Sequence, residues 1–219
     1  MIKGRGFVLA AGLALIGLGL GGAYAPNSGR LTGYFPPSLR DLSITCDEGG
    51  RVRQLPGMSE IEADWYPKHL LAADEPSLFE ASQKAGASRL RTYRFTWLRT
   101  FHGPVIVRLE RDAEGGVRLI AKRLSGHGGY EPGAVDAQIR RRLTRQELAQ
   151  FDRALAAANH LRLPPVDCRM GADGSRWIME ANDAGVYRYV NRWTPEDGAV
   201  RDLGDMLLRF TGWKLDPRY

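Results

Sequence analysis

The chemistry-bearing residues of this 219-residue chain are few, and none forms a complete catalytic set. His127-Gly128-Gly129-Tyr130 is the most enzyme-like fragment. Successive backbone N–H groups in such a glycine run can meet a developing negative charge. A hydrolase or transferase built on Gly126–Gly133 would use His127 as base, with Glu131 or Glu180 supporting it. That chemistry calls for a nucleophilic serine on a Gly-x-Ser-x-Gly turn, and the sequence contains none. The same loop also reads as a small anion-binding nest, or as a permissive strand connection whose glycines supply positive φ.

His69, His102, His127 and His160 are scattered, without the i, i+2 or i, i+4 spacing that seats a metal. The paired acids Asp47-Glu48 and Glu60/Glu62 are what surface loops produce, so no metal is expected. No phosphate-binding loop occurs, and no dinucleotide fingerprint lies beyond Gly17, Gly19 and Gly21. No cofactor is expected.

The larger signal is charge on strands. From Arg91 the odd positions read Arg91, Tyr93, Phe95, Trp97, and the even ones Thr92, Arg94, Thr96. This period of two predicts a strand with an aromatic face inward and a polar face outward. Val105–Glu110 and Val117–Lys122 repeat it around the Glu114-Gly115-Gly116 turn, and Val135–Leu143 adds a fourth strand. Thr92, Arg94, Arg108, Arg118, Lys122, Arg140 and Arg142 then project together, with Glu110 and Asp136 among them. Arg94, Arg108, Lys122 and Arg140 are the expected binding residues, because guanidinium forks suit carboxylate or phosphate. The plain alternative is a solvated face kept soluble by charge.

The remaining elements follow from caps and stripes. Thr144-x-x-Glu147 is a capping box opening a helix with Leu148, Phe151 and Leu155 on one side. Ser175–Asn182 and Val186–Trp193 form a hairpin through Asp183-Ala184-Gly185; Tyr187, Tyr189 and Trp193 share a face whose orientation the pattern leaves open. Leu203, Met206, Leu207 and Phe210 stripe a last helix. The fold class is α+β: a mainly antiparallel sheet, a meander plus a C-terminal hairpin, with two amphipathic helices packed on one side. Residues 26–88 are proline-rich and less regular, with short helical pieces near Ser38–Leu42 and Pro76–Lys84 and no long element. They read as part of the single domain 26–219.

Lys3 and Arg5 precede the apolar run Phe7–Leu20 and the small residues Gly21–Ala25, and no charge occurs before Arg30. This is a signal peptide at residues 1–25, or an uncleaved anchor contacting membrane through residues 7–25. Export places Cys46 and Cys168 in an oxidising compartment, where an even pair forms a disulfide. Closing a loop of roughly 100 residues or more is worth about 4–5 kcal/mol on the chain-entropy model. The formal net charge of +6 falls to about +4 without residues 1–25, a mild excess, and nucleic acid is not an expected partner.

Tyr93–His102, Gly129–Gly133, Asp173–Trp177 and Trp193-Thr194-Pro195 resemble an uncharacterised group of small exported bacterial proteins. The resemblance spans residues 90–210 or so and implies export without any known activity. The expected function is an exported, non-enzymatic binding or accessory module, periplasmic or tethered to the inner membrane, with an envelope protein or an anionic ligand as partner.

Overall fold

The computed structural model describes Met1, residues 33–89 and residues 91–219. Residues 2–25, where the signal or anchor is expected, lie outside the described residues. Among the described residues no helix is long and apolar enough to cross a membrane.

Two strands, β1 (Ile44–Glu48) and β2 (Arg51–Leu55), form a hairpin that turns at Gly49 and Gly50. The alternating segments then give β3 (Arg91–Arg99), β4 (Val105–Arg111), β5 (Val117–Leu124), β6 (Val135–Arg142), β7 (Ser175–Asp183) and β8 (Val186–Trp193). They pair antiparallel in the order β6-β5-β4-β3-β7-β8, so β3 is central and β6 and β8 are edges. Among the described residues five helices accompany them: α1 (Ser38–Asp41), α2 (Glu60–Ala72), α3 (Leu78–Ser82), α4 (Arg145–Ala157) and α5 (Ala199–Phe210). The architecture is α+β with mainly antiparallel sheet.

The aromatic face of β3 is buried as its period demands. Tyr93, Phe95 and Trp97 join Val107, Leu119, Trp177 and Met179 beneath α4 and α5, which contribute Phe151, Leu155, Leu203, Leu207 and Phe210. Each such side chain, fully buried, is worth about 1.5–3 kcal/mol. Helix α5 lies close because Gly204 faces the sheet: a Cβ there would stand 2.5 Å from Trp177 Cζ3.

The opposite face departs from expectation. It is not solvated, and helices do not pack on one side alone. Tyr34, Phe35, Leu39, Met58, Tyr66, Leu70 and Ala73 cover it, meeting Leu98, Ile106, Leu124, Ile178 and Tyr189. Tyr187 and Tyr189 of β8 face this cover, while Val190 faces the α4–α5 side.

The cover also contains the long element that the prolines argued against. Helix α2 runs 13 residues with Pro67 inside it. Ser59 and Glu62 form a full capping box: Ser59 accepts from the Glu62 N–H at 3.3 Å and Glu62 accepts from the Ser59 N–H at 2.9 Å. The capped start and the buried Tyr66, His69 and Leu70 hold the helix across the proline. The Cys46–Cys168 disulfide, with Cα atoms 5.4 Å apart, ties β1 to the chain before β7.

Candidate functional site

The expected binding residues divide between two environments. Arg94 donates to Glu180 Oε2 through Nε at 2.9 Å and NH2 at 2.6 Å, and through NH1 to Tyr34 Oη at 3.0 Å and Pro76 O at 2.6 Å. Glu75 reaches Arg108 Nε at 2.7 Å and Lys122 Nζ at 3.0 Å. Lys122 also donates to Ala73 O and Asp74 O. Burial opposes the Arg94 charge, yet Glu180, Tyr34 and Glu75 hold the guanidinium protonated and raise its pKa. Tyr187 donates its hydroxyl to Glu180 Oε1 at 2.9 Å, and burial followed by Glu180 pushes that phenol up.

Arg94 and Lys122 are 1% and 7% exposed. Arg94 and Lys122 therefore clasp the chain's own cover and are closed to an outside partner, while the partly exposed Arg108 is held by Glu75 and Glu110. Arg140 alone of the four is exposed, on edge strand β6 opposite Ile120.

The Gly126–Gly133 loop is committed internally as well. Gly126 N donates to Pro132 O at 3.0 Å, His127 N to Glu131 O at 2.9 Å, Gly128 N to His102 O at 3.0 Å and Gly129 N to Thr100 O at 3.1 Å. With these N–H groups occupied, the loop is neither an oxyanion hole nor an anion nest. A Cβ on Gly128 would come within 2.6 Å of the Arg99 backbone, so this glycine serves close packing. His127 and Glu131 are exposed, and the His127 ring meets the Tyr130 ring edge-on at 6.4 Å. Among the described residues no serine or carboxylate stands within hydrogen-bond reach of that imidazole, as a catalytic base would need.

Beside this loop lies a group that the alternation did not single out. Arg99 ends the inward row Tyr93-Phe95-Trp97 where β3 leaves the sheet, and stacks on Trp97 with Cζ 4.3 Å from the ring. It is 4% exposed, donates through NH2 to Gly103 O at 3.1 Å, and leaves Nε without a partner. Among the described residues no carboxylate lies within ion-pair distance of it. Buried charges are ordinarily paired, because leaving water costs several kcal/mol. Burial pushes the Arg99 pKa down; Tyr219 acts against that shift and Arg123 adds to it.

Arg99 lines an open cavity of about 250 Å³ together with His102, Arg123, Asp136, Lys214 and Asp216. Arg123 is bound to Asp136 at 2.9 Å. His102 Nδ1 lies 2.7 Å from the Tyr219 hydroxyl, and burial, with Arg99 and His127, lowers its pKa. A cavity bordered by three bases, two acids and a histidine, whose deepest guanidinium is unpaired, is suited to an anionic group. The one advance sign in the sequence was Arg99 itself, a charge continuing an apolar row.

A second, smaller cavity of about 90 Å³ lies near the disulfide, lined by Glu62, Arg176, Asn191 and Trp193 among others. Glu62 there accepts from Tyr66 Oη at 2.7 Å and pairs with Arg176 at 3.4 Å. Among the described residues no three of His, Cys, Asp and Glu gather in a way that holds a metal. Compared with models of known protein families and with curated protein sequences, the chain matches none.

Proposed function

We propose that the protein is an exported, non-enzymatic binding module that takes a carboxylate or phosphate group in the cavity at Arg99. The observation that carries this reading is the buried, unpaired Arg99 guanidinium with its free Nε–H. An incoming anion supplies both the missing acceptor and the missing countercharge. Export is supported by the Cys46–Cys168 disulfide, which persists in oxidising compartments. At about 250 Å³ the cavity suits the head group of a ligand, since sites that enclose whole drug-sized molecules start at about 300 Å³. The rest of the ligand, or of an envelope polymer, stays in solvent.

The experiment is calorimetric titration with inorganic phosphate and with succinate at low salt, comparing the unaltered chain with Arg99→Met. Methionine keeps an apolar stem over Trp97 while removing charge and donors. Saturable binding that Arg99→Met abolishes supports the site. Absence of binding by both anions, or binding that Arg99→Met leaves unchanged, rejects it.

A further inference from the structure

The small cavity beside the Cys46–Cys168 disulfide is assembled where the fold brings several segments to one end of the sheet. On the covered face, β7 and β8 set Arg176 directly opposite Trp193, and Asn191 opposite Ile178. The Arg176 guanidinium stacks on the Trp193 ring, with Cζ 4.9 Å from its centre. Ser59 and Glu62 at the start of α2 close one side, and residues 166–170 around Cys168 close another.

The hydrogen bonding of this cavity is unfinished at two named atoms. Tyr66 gives its hydroxyl proton to Glu62 Oε1 at 2.7 Å, and accepts from Asn191 Nδ2 at 3.0 Å. The amide nitrogen is thereby turned toward Tyr66, and Oδ1 is left as a lone acceptor. Asn191 is 1% exposed, and its Oδ1 has no hydrogen-bond partner among the described residues. Arg176 Nε is likewise buried and without a partner there, although the guanidinium pairs with Glu62 at 3.4 Å. Buried polar groups ordinarily have partners, so one N–H donor and one C=O acceptor call for a ligand that offers both.

The charges, by contrast, are already balanced. Glu62 faces Arg176, Asp167 faces Arg192 at 3.7 Å and Arg169 faces Glu196 at 3.7 Å. A neutral ligand fits where the Arg99 cavity takes an anion. The C=O and N–H of a secondary amide supply the acceptor and the donor on separate atoms. Leu55, Pro56, Val166, Met170 and the Trp193 ring form an apolar wall that suits a methyl group. At about 90 Å³ the cavity holds such a group and not a whole drug-sized molecule. The half-exposed side chains of Asp167 and Arg169 offer an acceptor and donors to hydroxyls outside it.

We propose that this cavity binds the acetamido group of an N-acetylated amino sugar. The carbonyl accepts from Arg176 Nε, the N–H donates to Asn191 Oδ1, the methyl lies on the apolar wall, and ring hydroxyls meet Asp167 and Arg169. The site goes beyond the anion cavity and shares no lining residue with it.

The test titrates the protein with N-acetylglucosamine, with glucose and with N-acetylalanine methylamide, following the Arg176 Nε–H and Asn191 side-chain amide resonances. N-acetylglucosamine is expected to move both signals saturably and to bind about tenfold or more tightly than either other probe. Val166→Phe fills the cavity from its wall without altering the Glu62–Arg176 pair, and is expected to erase this binding while the Arg94 Nε–H signal stays in place. Should that variant not fold, Met170→Trp blocks the same wall from its exposed side. No saturable shift, glucose binding as tightly, or binding that survives the blocking variant overturns the proposal. N-acetylalanine methylamide binding as tightly overturns the assignment to a sugar. Arg99→Met separates the two sites: it is expected to lose phosphate binding and keep N-acetylglucosamine binding. Loss of N-acetylglucosamine binding in Arg99→Met would place the sugar at the anion cavity and overturn the proposal.

Discussion

Glu180 Oε2 accepts two hydrogen bonds from Arg94, at 2.9 Å from Nε and 2.6 Å from NH2, with both side chains fully buried between the sheet and its cover. This pair, with Glu75 bridging Arg108 and Lys122, turns a face that reads as solvent-exposed into an internal seam. A buried ion pair is weak evidence of net stability, but half of one is costly.

Glu180→Gln alone is therefore expected to lose about 3–5 kcal/mol, because it leaves Arg94 charged and buried. Replacing both partners, Arg94→Met with Glu180→Leu, is expected to lose clearly less. Urea unfolding of the singles and the double reads this directly. A double variant as unstable as the sum of the singles contradicts the pairing account.

Glu75 is a single anion among several cations, at 2.7 Å from Arg108, 3.0 Å from Lys122 and 4.0 Å from Arg94. Glu75→Gln is expected to loosen the cover before the sheet melts. Hydrogen exchange should rise across residues 60–82 while β3 and β7 stay protected. Uniform exchange over both regions would mean that the cover does not open as a unit.

Reduction of Cys46–Cys168, which lie 122 residues apart, is expected to lower stability by about 4–5 kcal/mol on the chain-entropy model. Unfolding with and without reductant measures it, and Cys46→Ser with Cys168→Ser should match the reduced protein. A loss below about 1 kcal/mol would show that residual structure already closes this loop in the unfolded chain.

His69 links stability to acid. It is fully buried, accepts from Trp65 Nε1 at 2.9 Å, and burial, then Lys68, lower its pKa from 6.5 to about 4. The unfolded chain thus binds a proton that the folded one refuses. Stability is complete above about pH 6.5 and falls as pH drops toward 4, by up to about 3 kcal/mol. His69→Gln keeps an acceptor for Trp65 and is expected to flatten this limb. Glu147, held down to about 2 by Arg141, loses its contribution at lower pH, between about 4.5 and 2, so the two are separable.

Much of the sheet was legible because its signals are local. The Thr144–Glu147 box, the Asp183-Ala184-Gly185 turn and the α5 stripe each specify their element within a few residues. The cover was not. Pro67 argued against a helix that tertiary burial of Tyr66 and Leu70 stabilises, although Ser59-x-x-Glu62 announced its start. The polar face of β3–β5 was read from Arg94, Arg108 and Lys122, while Ile106 and Ile120 on that same face signalled burial. The candidate site was least legible, since Arg99, His102, Arg123 and Lys214 converge only through the fold.

Anion binding is centred on Arg99, and the Nε–H resonance of that side chain, assigned by its loss in Arg99→Met, measures it most directly. Addition of phosphate or succinate is expected to shift this signal and slow its exchange with water, as Nε gains the acceptor it lacks. The Arg94 Nε–H signal, already bound to Glu180, should stay in place. An Arg99 signal that does not move at saturating anion, or that moves only in step with Arg94, would contradict the account.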